Sequence, residues 1–135
     1  MNLSMLYAKI HRARITKCEL HYNGSMGIDE DYLDAAGLLP GQKIDVLNVN
    51  NGARISTYIL KEPRGSKIFG IYGAAAHLFN KGDISIIIAY AEMDIKEAKS
   101  FKPTVLVLDE NNEVIKEQHA RRETHVAPDA REKTA

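Results

Sequence analysis

The chain has 135 residues, and its 18 lysines and arginines balance its 18 aspartates and glutamates. A chain of this length fits one domain, and its neutral charge gives no net basic field that would attract nucleic acid. No stretch approaches the roughly 20 apolar residues that cross a bilayer, and residues 1–10 lack the pattern of a secretory leader. The sequence therefore predicts a cytoplasmic protein that binds neither nucleic acid nor a membrane.

The cysteine and histidine positions give little support to redox or metal chemistry. Cys18 is the only cysteine, which excludes an intrachain disulfide, and a lone cysteine in a strand-like run is typical of packing. The five histidines lack a paired ligand spacing such as HExxH. We therefore predict no metal site.

The first elements are predicted as two strands, residues 3–10 and 13–20, which are rich in apolar residues and broken near residues 11–12. They lead to Asn23-Gly24, a strong signal for a type I′ turn because both residues tolerate a positive φ. Lys9 lies at the end of the first strand, where a solvated edge lysine is the ordinary interpretation.

Ser25 follows this turn and opens a second interpretation of the segment. A serine after a glycine can direct its hydroxyl at the preceding carbonyl, where no Cβ shields the carbon and the backbone can be held strained. A Gly24–Ser25 bond of this kind can cleave itself. For an isolated Asn-Gly-Ser tripeptide, however, turn chemistry accounts for all three residues, and a plain turn is favoured.

The next segments predict a short helix and a hairpin. Residues 28–37 carry an Asp cap, acidic first-turn residues and a terminal glycine, which are typical of a helix of about two turns. Residues 43–50 and 53–60 alternate with period two on either side of Asn51-Gly52, which predicts a β-hairpin.

One face of the second hairpin strand is polar. Arg54, Ser56 and Tyr58 share this face, while Thr57 points to the opposite side. Such a face is usually only solvated. A guanidinium and a phenol on one face also suit a small anionic ligand, the first through paired hydrogen bonds and the second as a proton donor. Both interpretations stay open on these residues.

A strand over residues 67–72 is predicted to lead into a helix start at Gly73–His77. Its free N–H groups suit a carboxylate or phosphate, and its alanines would let a ligand approach the backbone closely. A compact helix packed on a barrel explains the same residues equally well. Residues 84–91 form the most apolar run and predict a central buried strand.

The remaining segments predict a helical turn over residues 94–100 and a strand over residues 104–108 that pairs with residues 114–115. From about Glu117 onward the chain is charged and unpatterned, which predicts a mobile tail. Many short strands, few small helices and no alternation of strand and helix favour a small β-barrel.

Seven short segments, in their order and spacing, closely resemble the aspartate 1-decarboxylase family. They are His11-Arg12, Leu20–Ser25, Asp34–Gly37, Asn51-Gly52, Ser56–Tyr58, Arg64–Ser66 and Gly73–His77. No single segment is specific, but the ordered set is, and it covers roughly residues 1–116. Asn23, Met26, Gly27 and Tyr72 differ from the residues that are common in this family.

The resemblance implies a mainly β fold, a double-psi β-barrel with a few short helices over residues 1–116. The charged residues 117–135 are predicted to follow as a flexible tail. The resemblance also implies a homotetramer with active sites between neighbouring subunits, and it leaves open a helper protein that assists maturation.

The resemblance further implies a covalent pyruvoyl cofactor in place of pyridoxal phosphate. In this family the Gly-Ser bond cleaves itself, so the cleavage site is Gly24 and Ser25. The products are a β-chain of residues 1–24 and an α-chain of residues 25–135 that begins with the pyruvoyl group made from Ser25.

The activity that the resemblance implies is decarboxylation of L-aspartate to β-alanine and CO2, which supplies pantothenate and coenzyme A synthesis. The substrate amine condenses with the pyruvoyl ketone, which accepts the electrons that the leaving carboxylate releases. Ser25 and Tyr58 are the implied catalytic residues, Tyr58 as the proton donor. The implied substrate-binding residues are Lys9, Arg54, Thr57, Gly73, Ala74 and Ala75.

Two alternatives remain beside this function. In the first alternative, the chain is an unprocessed β-barrel that serves as a binding or assembly module. In the second, it is a pyruvoyl decarboxylase of another small amino acid.

Overall fold

The computed structural model describes residues 1–121, which form nine strands, two α-helices and one 3₁₀ helix. The strands are β1 (Asn2–Arg14), β2 (Lys17–Glu19), β3 (Ser25–Asp29), β4 (Lys43–Asn48), β5 (Arg54–Glu62), β6 (Phe69–Tyr72), β7 (Ile84–Asp94), β8 (Thr104–Leu108) and β9 (Val114–Gln118). The helices are α1 (Glu30–Ala36), the 3₁₀ helix (Gly73–Leu78) and α2 (Ile95–Ser100).

The strands of the described chain pair in the order β2-β6-β3-β5-β4-β7-β1-β8-β9. Three pairs, β1 with β8, β2 with β6 and β3 with β5, are parallel, and the others are antiparallel. Strands that are distant in sequence therefore lie side by side. This mixed, mainly β architecture confirms the predicted fold class, a double-psi β-barrel with a few short helices.

Alternate side chains of the long strands fill one hydrophobic core. Ile10, Ile44, Phe69 and Ile87 come from four different strands, and each is at most 1% exposed. Burial of one such side chain is worth about 1.5–3 kcal/mol, so these residues fix which face of each strand points inward. β7 pairs with β1 on one side and β4 on the other, which confirms the central strand predicted over residues 84–91.

The predicted helix near residues 28–37 is confirmed as α1. Asp29 is its N-cap, and its carboxylate accepts a hydrogen bond from the backbone N–H of Asp31 at 2.8 Å. The helix ends at Gly37, whose φ of +75° suits glycine because a Cβ would be strained there. α2 likewise confirms the helical turn predicted over residues 94–100.

The strand break predicted near residues 11–12 is wrong. β1 is one continuous strand, and its pairing with β7 shifts register between His11 and Ala13. Arg12 lies at this point with φ +68°, so the irregularity is a β-bulge rather than a strand end. The second predicted strand, residues 13–20, is correspondingly reduced to the short β2.

The type I′ turn predicted at Asn23-Gly24 is also wrong. Neither residue has a positive φ, and β2 and β3 do not pair with each other. β6 lies between them, parallel to β2 and antiparallel to β3. The partner of both strands thus comes from a distant part of the chain, and its pairing overrides the local turn signal.

The hairpin of β4 and β5 is confirmed, with Gly52 in its turn at φ +78°. The helix start predicted at Gly73 is confirmed as a 3₁₀ helix. The pairing predicted between residues 104–108 and 114–115 is confirmed by β8 and β9.

The last strand extends past residue 116, where the predicted domain ends. β9 continues to Gln118, and Glu117 within it is buried. The backbone N–H of Arg121 donates to the carbonyl oxygen of Ala35 at 2.7 Å. The rest of the predicted tail, residues 122–135, lies outside the described residues.

Candidate active site

Ser25 is the first residue of β3, at the point where an exposed bend enters the sheet. Its side chain is buried, with only 1% of the residue exposed, whereas Asn23 and Gly24 before it are exposed. The Ser25 Oγ donates a hydrogen bond to the Asn23 carbonyl oxygen at 3.3 Å. The hydroxyl is therefore held over the backbone of the segment that precedes it.

The neighbours of Ser25 follow from the register of β3 with β5. Met26 pairs with Ile59 in this parallel pair, and both side chains belong to the core. Side chains alternate along a strand, so Ser25 and Tyr58, one position earlier on each strand, both point away from the core. The serine and the phenol thus share the outer face of adjacent strands, which lie about 4.8 Å apart.

The 3₁₀ helix begins directly against the candidate cleavage site. Gly73 is buried with φ +79°, and a Cβ added to it would lie 2.7 Å from the Cα of Gly24. Only glycine lets the two backbones approach this closely. Ala74 is exposed and Ala75 is half-buried, so small side chains continue along this edge.

Tyr58 has a cation directly opposite it on the neighbouring strand. Lys43 pairs with Tyr58 in the antiparallel register of β4 and β5, and both are exposed. Thr57 pairs with Ile44 and faces the opposite side of β5. No register shift is recorded along β5 in either of its pairings, so Thr57 and Tyr58 stay on opposite faces within this chain.

Arg54 is engaged by neighbours on the same outer face. Its guanidinium donates to the Asp45 carboxylate at 3.0 Å and to the Tyr90 hydroxyl at 3.1 Å. The Ser56 hydroxyl donates to the other Asp45 oxygen at 2.6 Å. The Ser56 hydrogen bond, followed by that of Arg54, holds the pKa of Asp45 below its ordinary value. The hydrogen bond to Asp45, followed by that to Tyr90, raises the pKa of Arg54, which stays charged.

A polar cavity of about 310 Å³ lies beside this cluster. Its lining residues come from β1, β4, β5 and β7, and they are Ser4, Lys43, Ile44, Asp45, Ser56 and Tyr90. The cavity therefore shares Asp45 and Tyr90 with the contacts of Arg54, and Lys43 with those of Tyr58. Its volume suits a small molecule. Lys43 in the lining, and Arg54 bound to Asp45 and Tyr90 of the lining, suit an anionic one.

Lys9 lies on the same outer face but far from Ser25 within one chain. It pairs with Ile88 of β7, and β4 lies between β7 and β5. At about 4.8 Å per strand, Lys9 is roughly 14 Å along the sheet from the strand of Tyr58. Next to it, burial and the charges of Lys9 and Arg12 lower the pKa of His11.

Comparison with known proteins identifies the family. The family model for aspartate decarboxylase matches residues 1–115. The aspartate 1-decarboxylase of Maricaulis maris is 53% identical over 120 residues, which cover 89% of this chain and 99% of that protein. That of Caulobacter vibrioides is 52% identical over 112 residues, with 83% and 95% covered. That of Carboxydothermus hydrogenoformans is 53% identical over 116 residues, with 86% and 91% covered. This chain belongs to the aspartate decarboxylase family.

Membership of the aspartate decarboxylase family confirms the resemblance drawn from the seven segments, and it makes the chain an enzyme of the carboxy-lyase class. The structure brings together Ser25, Gly24, Tyr58 and Gly73. It leaves Lys9 apart from them, and it places Arg54 on the face of Tyr58 but four residues along the strand, about 13 Å away.

Sequence reasoning missed several polar neighbours of the aspartate decarboxylase site. The position of Lys43 could have been predicted from the sequence, because a hairpin centred on Asn50 and Asn51 places Lys43 opposite Tyr58. Asp45 follows from the same register, where it pairs with Ser56. Tyr90 had no such signal, since its approach to Arg54 depends on the pairing of β4 with β7.

Residues 1–121 of this chain contain neither a group of candidate metal ligands nor a membrane-spanning helix. No group of three or more His, Cys, Asp or Glu side chains in these residues is arranged to hold a metal ion. Among the helices described, none has the length and apolar character needed to cross a membrane.

Proposed function

We propose that the chain decarboxylates L-aspartate to β-alanine and CO2 and so supplies pantothenate and coenzyme A synthesis. The reaction uses a pyruvoyl group that the chain makes from Ser25 by cleaving its own Gly24–Ser25 bond. The observation that carries this proposal is the position of Ser25. It is buried beside the close contact of Gly24 with Gly73, and on the same face as Tyr58 of the next strand.

The cleavage needs only atoms of this chain and one water molecule. The Ser25 Oγ attacks the carbonyl carbon of Gly24, the peptide C–N bond breaks, and the Ser25 nitrogen takes up the hydroxyl proton. Elimination across Cα–Cβ of Ser25 then releases the Gly24 carboxylate, and water replaces the nitrogen, which leaves as ammonia. The existing hydrogen bond of Oγ to the Asn23 carbonyl keeps the hydroxyl on this side of the backbone.

The surroundings of Ser25 fit a small ketone at this position. Gly24 and Gly73 have no side chains that would cover it, and Ala74 and Ala75 continue the open edge. The pyruvoyl ketone would supply an electron sink for the bonding electrons that stay on the substrate carbon when the carboxylate leaves as CO2. Tyr58 returns a proton to the substrate carbon. Thr57, Gly73, Ala74 and Ala75 hold the substrate, and Lys9 and Arg54 bind its two carboxylates.

We further propose that the active enzyme is a homotetramer, with or without a helper protein during maturation. Within one chain, Lys9 lies three strands from Tyr58, and Thr57 faces away from it, so a neighbouring subunit must complete the site. An outer apolar stripe supports this assembly. It consists of half-buried residues whose strand neighbours face the core: Leu47, Ile86 and Ile88 on one side, and Val105 and Val107 on the other. Lys9 and His11 of β1 lie between the two groups. A stripe of this kind on a charged surface is typical of a subunit interface.

The first test is the intact mass of the purified protein under denaturing conditions. We expect two chains that separate after Gly24, the larger about 17 Da lighter than a fragment that begins with serine, since conversion of serine to the pyruvoyl group is a net loss of ammonia. Ser25→Ala removes the attacking oxygen and should remain one inactive chain. Two fragments in that variant, or a wild type that stays uncleaved after prolonged incubation, would refute the proposal.

The substrate is tested on the cleaved enzyme by comparing product formation from aspartate, glutamate and cysteine sulfinate. We expect β-alanine from aspartate to form fastest. A faster reaction with either of the other two acids would reassign the substrate while keeping the pyruvoyl chemistry.

A further inference from the structure

Tyr72 is a buried phenol at the cleavage site that the proposed chemistry does not use. It ends β6 and pairs with Ser25 in the antiparallel register of β3 and β6. Its neighbour Ile71 belongs to the core, so the Tyr72 side chain lies on the same outer face as Ser25. Only 3% of Tyr72 is exposed, which is unusual for a polar side chain on an outer face.

The phenol is anchored by a carboxylate. The Tyr72 hydroxyl donates a hydrogen bond to the Glu62 carboxylate, which reaches over from β5. Burial, and then this contact, raises the pKa of Tyr72, so the hydroxyl keeps its proton and remains a donor. A hydrogen bond to a charged acceptor is stronger than one between neutral groups, so it holds the ring in one orientation.

Two glycines make room for this anchor. Gly27 of β3 pairs with Gly70 of β6, two positions beyond Ser25 and Tyr72. A Cβ on Gly27 would lie 2.0 Å from Glu62 Oε2, and a Cβ on Gly70 would lie 2.4 Å from the Tyr72 oxygen. Both substitutions would push one partner away. The sheet surface is therefore bare at the point where Tyr72 and Glu62 meet.

The anchored ring supports the segment before the scissile bond. The rings of Tyr22 and Tyr72 are 4.8 Å apart between centroids, and Tyr22 is otherwise half exposed. The Tyr22 carbonyl oxygen and the Gly24 backbone both lie against Gly73. The exposed bend thus has two fixed points, one on the Tyr72 ring and one on Gly73, and Gly24 lies at the second.

We propose that Tyr72, held by Glu62, is a positioning residue for self-cleavage, because its ring fixes Tyr22 and thereby the carbonyl side of the Gly24–Ser25 bond. This inference rests on the proposed function. The Tyr72 hydroxyl transfers no proton to the reacting atoms, since it lies over Gly70, two residues from the level of Ser25. Its effect is to keep the Gly24 carbonyl within reach of the Ser25 hydroxyl.

The test follows the cleavage of freshly purified precursor by intact mass over time. We expect Tyr72→Phe and Glu62→Leu each to slow cleavage about tenfold, because each removes a hydrogen bond to a charged group. Glu62→Gln keeps an acceptor for the hydroxyl and should stay within about threefold of wild type. The double variant Tyr72→Phe/Glu62→Leu should be no slower than either single variant, since all three lose the same contact.

The link through Tyr22 has its own matched pair of variants. Tyr22→Phe keeps the ring that rests on Tyr72 and should cleave at the wild-type rate. Tyr22→Ala removes the ring and should cleave about fivefold more slowly, in keeping with the worth of an aromatic pair. Equal rates for these two variants would overturn the part of the inference that concerns Tyr22.

Tyr32→Phe controls for a general loss of stability. Tyr32 is another buried phenol, and its hydroxyl donates to the Asn112 carbonyl, away from Ser25. We expect a lower Tm in this variant with unchanged cleavage. If Tyr72→Phe cleaves as fast as wild type, or Tyr32→Phe slows cleavage as much, the inference is overturned while the proposed function stands. A wild type that never cleaves would overturn the proposed function itself.

Discussion

At the scale of single residues, Ser25 and Tyr58 matter because they share one face of adjacent strands. A phenol in that position can return a proton to the substrate carbon once the carboxylate has left, yet it takes no part in breaking the Gly24–Ser25 bond. Tyr58→Phe should therefore cleave normally and lose at least about 100-fold in kcat, the usual contribution of general acid–base catalysis. The measurements are intact mass and β-alanine formation per cleaved chain.

An active, fully cleaved Tyr58→Phe enzyme would move the proton donor elsewhere. Lys43, which pairs with Tyr58 across the hairpin, is then the next group to vary. Lys43→Met is the suitable partner variant, because it keeps the length of the side chain and removes the charge.

The stability that the Asp45 carboxylate contributes is expected to depend on pH. Its pKa in the folded chain is lowered, chiefly by the Ser56 hydrogen bond. The stabilisation from this contact is therefore present above the unfolded pKa of about 3.9 and is lost as the pH falls through the lower, folded value. Ser56→Ala should raise the pKa of Asp45 toward its ordinary value, which a carboxyl NMR titration measures. An unchanged titration curve would show that the Ser56 hydrogen bond does not lower this pKa.

The site residues differ in how far the sequence predicts them. The shared face of Arg54, Ser56 and Tyr58 follows from alternation along one strand and is confirmed by their exposure. The engagement of Arg54 by Tyr90 does not follow, because it depends on which strand lies beside β4. A pattern within one strand gives the direction of a side chain, whereas its partners come from non-local pairing.

At the scale of elements, the same distinction separates α1 from the segment before β3. The signals of α1 are its cap at Asp29 and its stop at Gly37, and both act within the helix itself. The Asn23-Gly24 signal is equally local, but β6 inserts between the strands that it was expected to join. The ends of α1 are therefore predicted well, and the turn at Asn23-Gly24 is not, because strand pairing decides where the chain turns at that point.

Asp29 caps α1 and also binds the backbone of a distant loop, so its loss should lower the stability of the chain. Its buried carboxylate accepts hydrogen bonds from the backbone N–H groups of Asp31, Gly65 and Lys67 at 2.8, 3.2 and 2.7 Å. Asp29→Ala would leave three donors without their acceptor and should lower the free energy of unfolding by about 3 kcal/mol. Denaturant titration of the full chain measures this loss.

Asp29→Asn is the matched control for that experiment. The amide keeps one acceptor oxygen, so this variant should lose roughly half as much stability as Asp29→Ala. An Asp29→Ala protein as stable as wild type would mean that water replaces the carboxylate, and that the loop of Gly65 and Lys67 is not tied to α1 through this residue.

At the scale of the whole molecule, one chain does not bring all the predicted site residues together. Ser25, Gly73 and Tyr58 come together, while Lys9 lies three strands away and Thr57 faces inward. The sequence placed all of these residues in one site only through its family resemblance, because alternation within β5 separates Thr57 from Tyr58. In the proposed homotetramer a second copy contributes such a residue, and no pattern within a single chain would predict it.

The outer apolar stripe provides the last prediction. Ile86 lies on it between Leu47 of β4 and His11 of β1, so a lysine there would place an unpaired charge in the expected interface. Ile86→Lys should run as a species smaller than a tetramer in size-exclusion chromatography with light scattering. Under the proposed assembly its decarboxylase activity should fall at least about 100-fold, because Lys9 of a neighbouring subunit would no longer reach the substrate.

Ile115→Lys introduces the same residue outside the stripe, on β9, where Ile115 is already 49% exposed. It should keep both the assembly and the activity, which separates an interface effect from a general effect of added charge. The two variants are compared in both decarboxylase activity and assembled size. A monomeric Ile86→Lys protein with full activity would mean that one chain completes its own site, and that Lys9 has no role in binding the substrate of a neighbouring subunit.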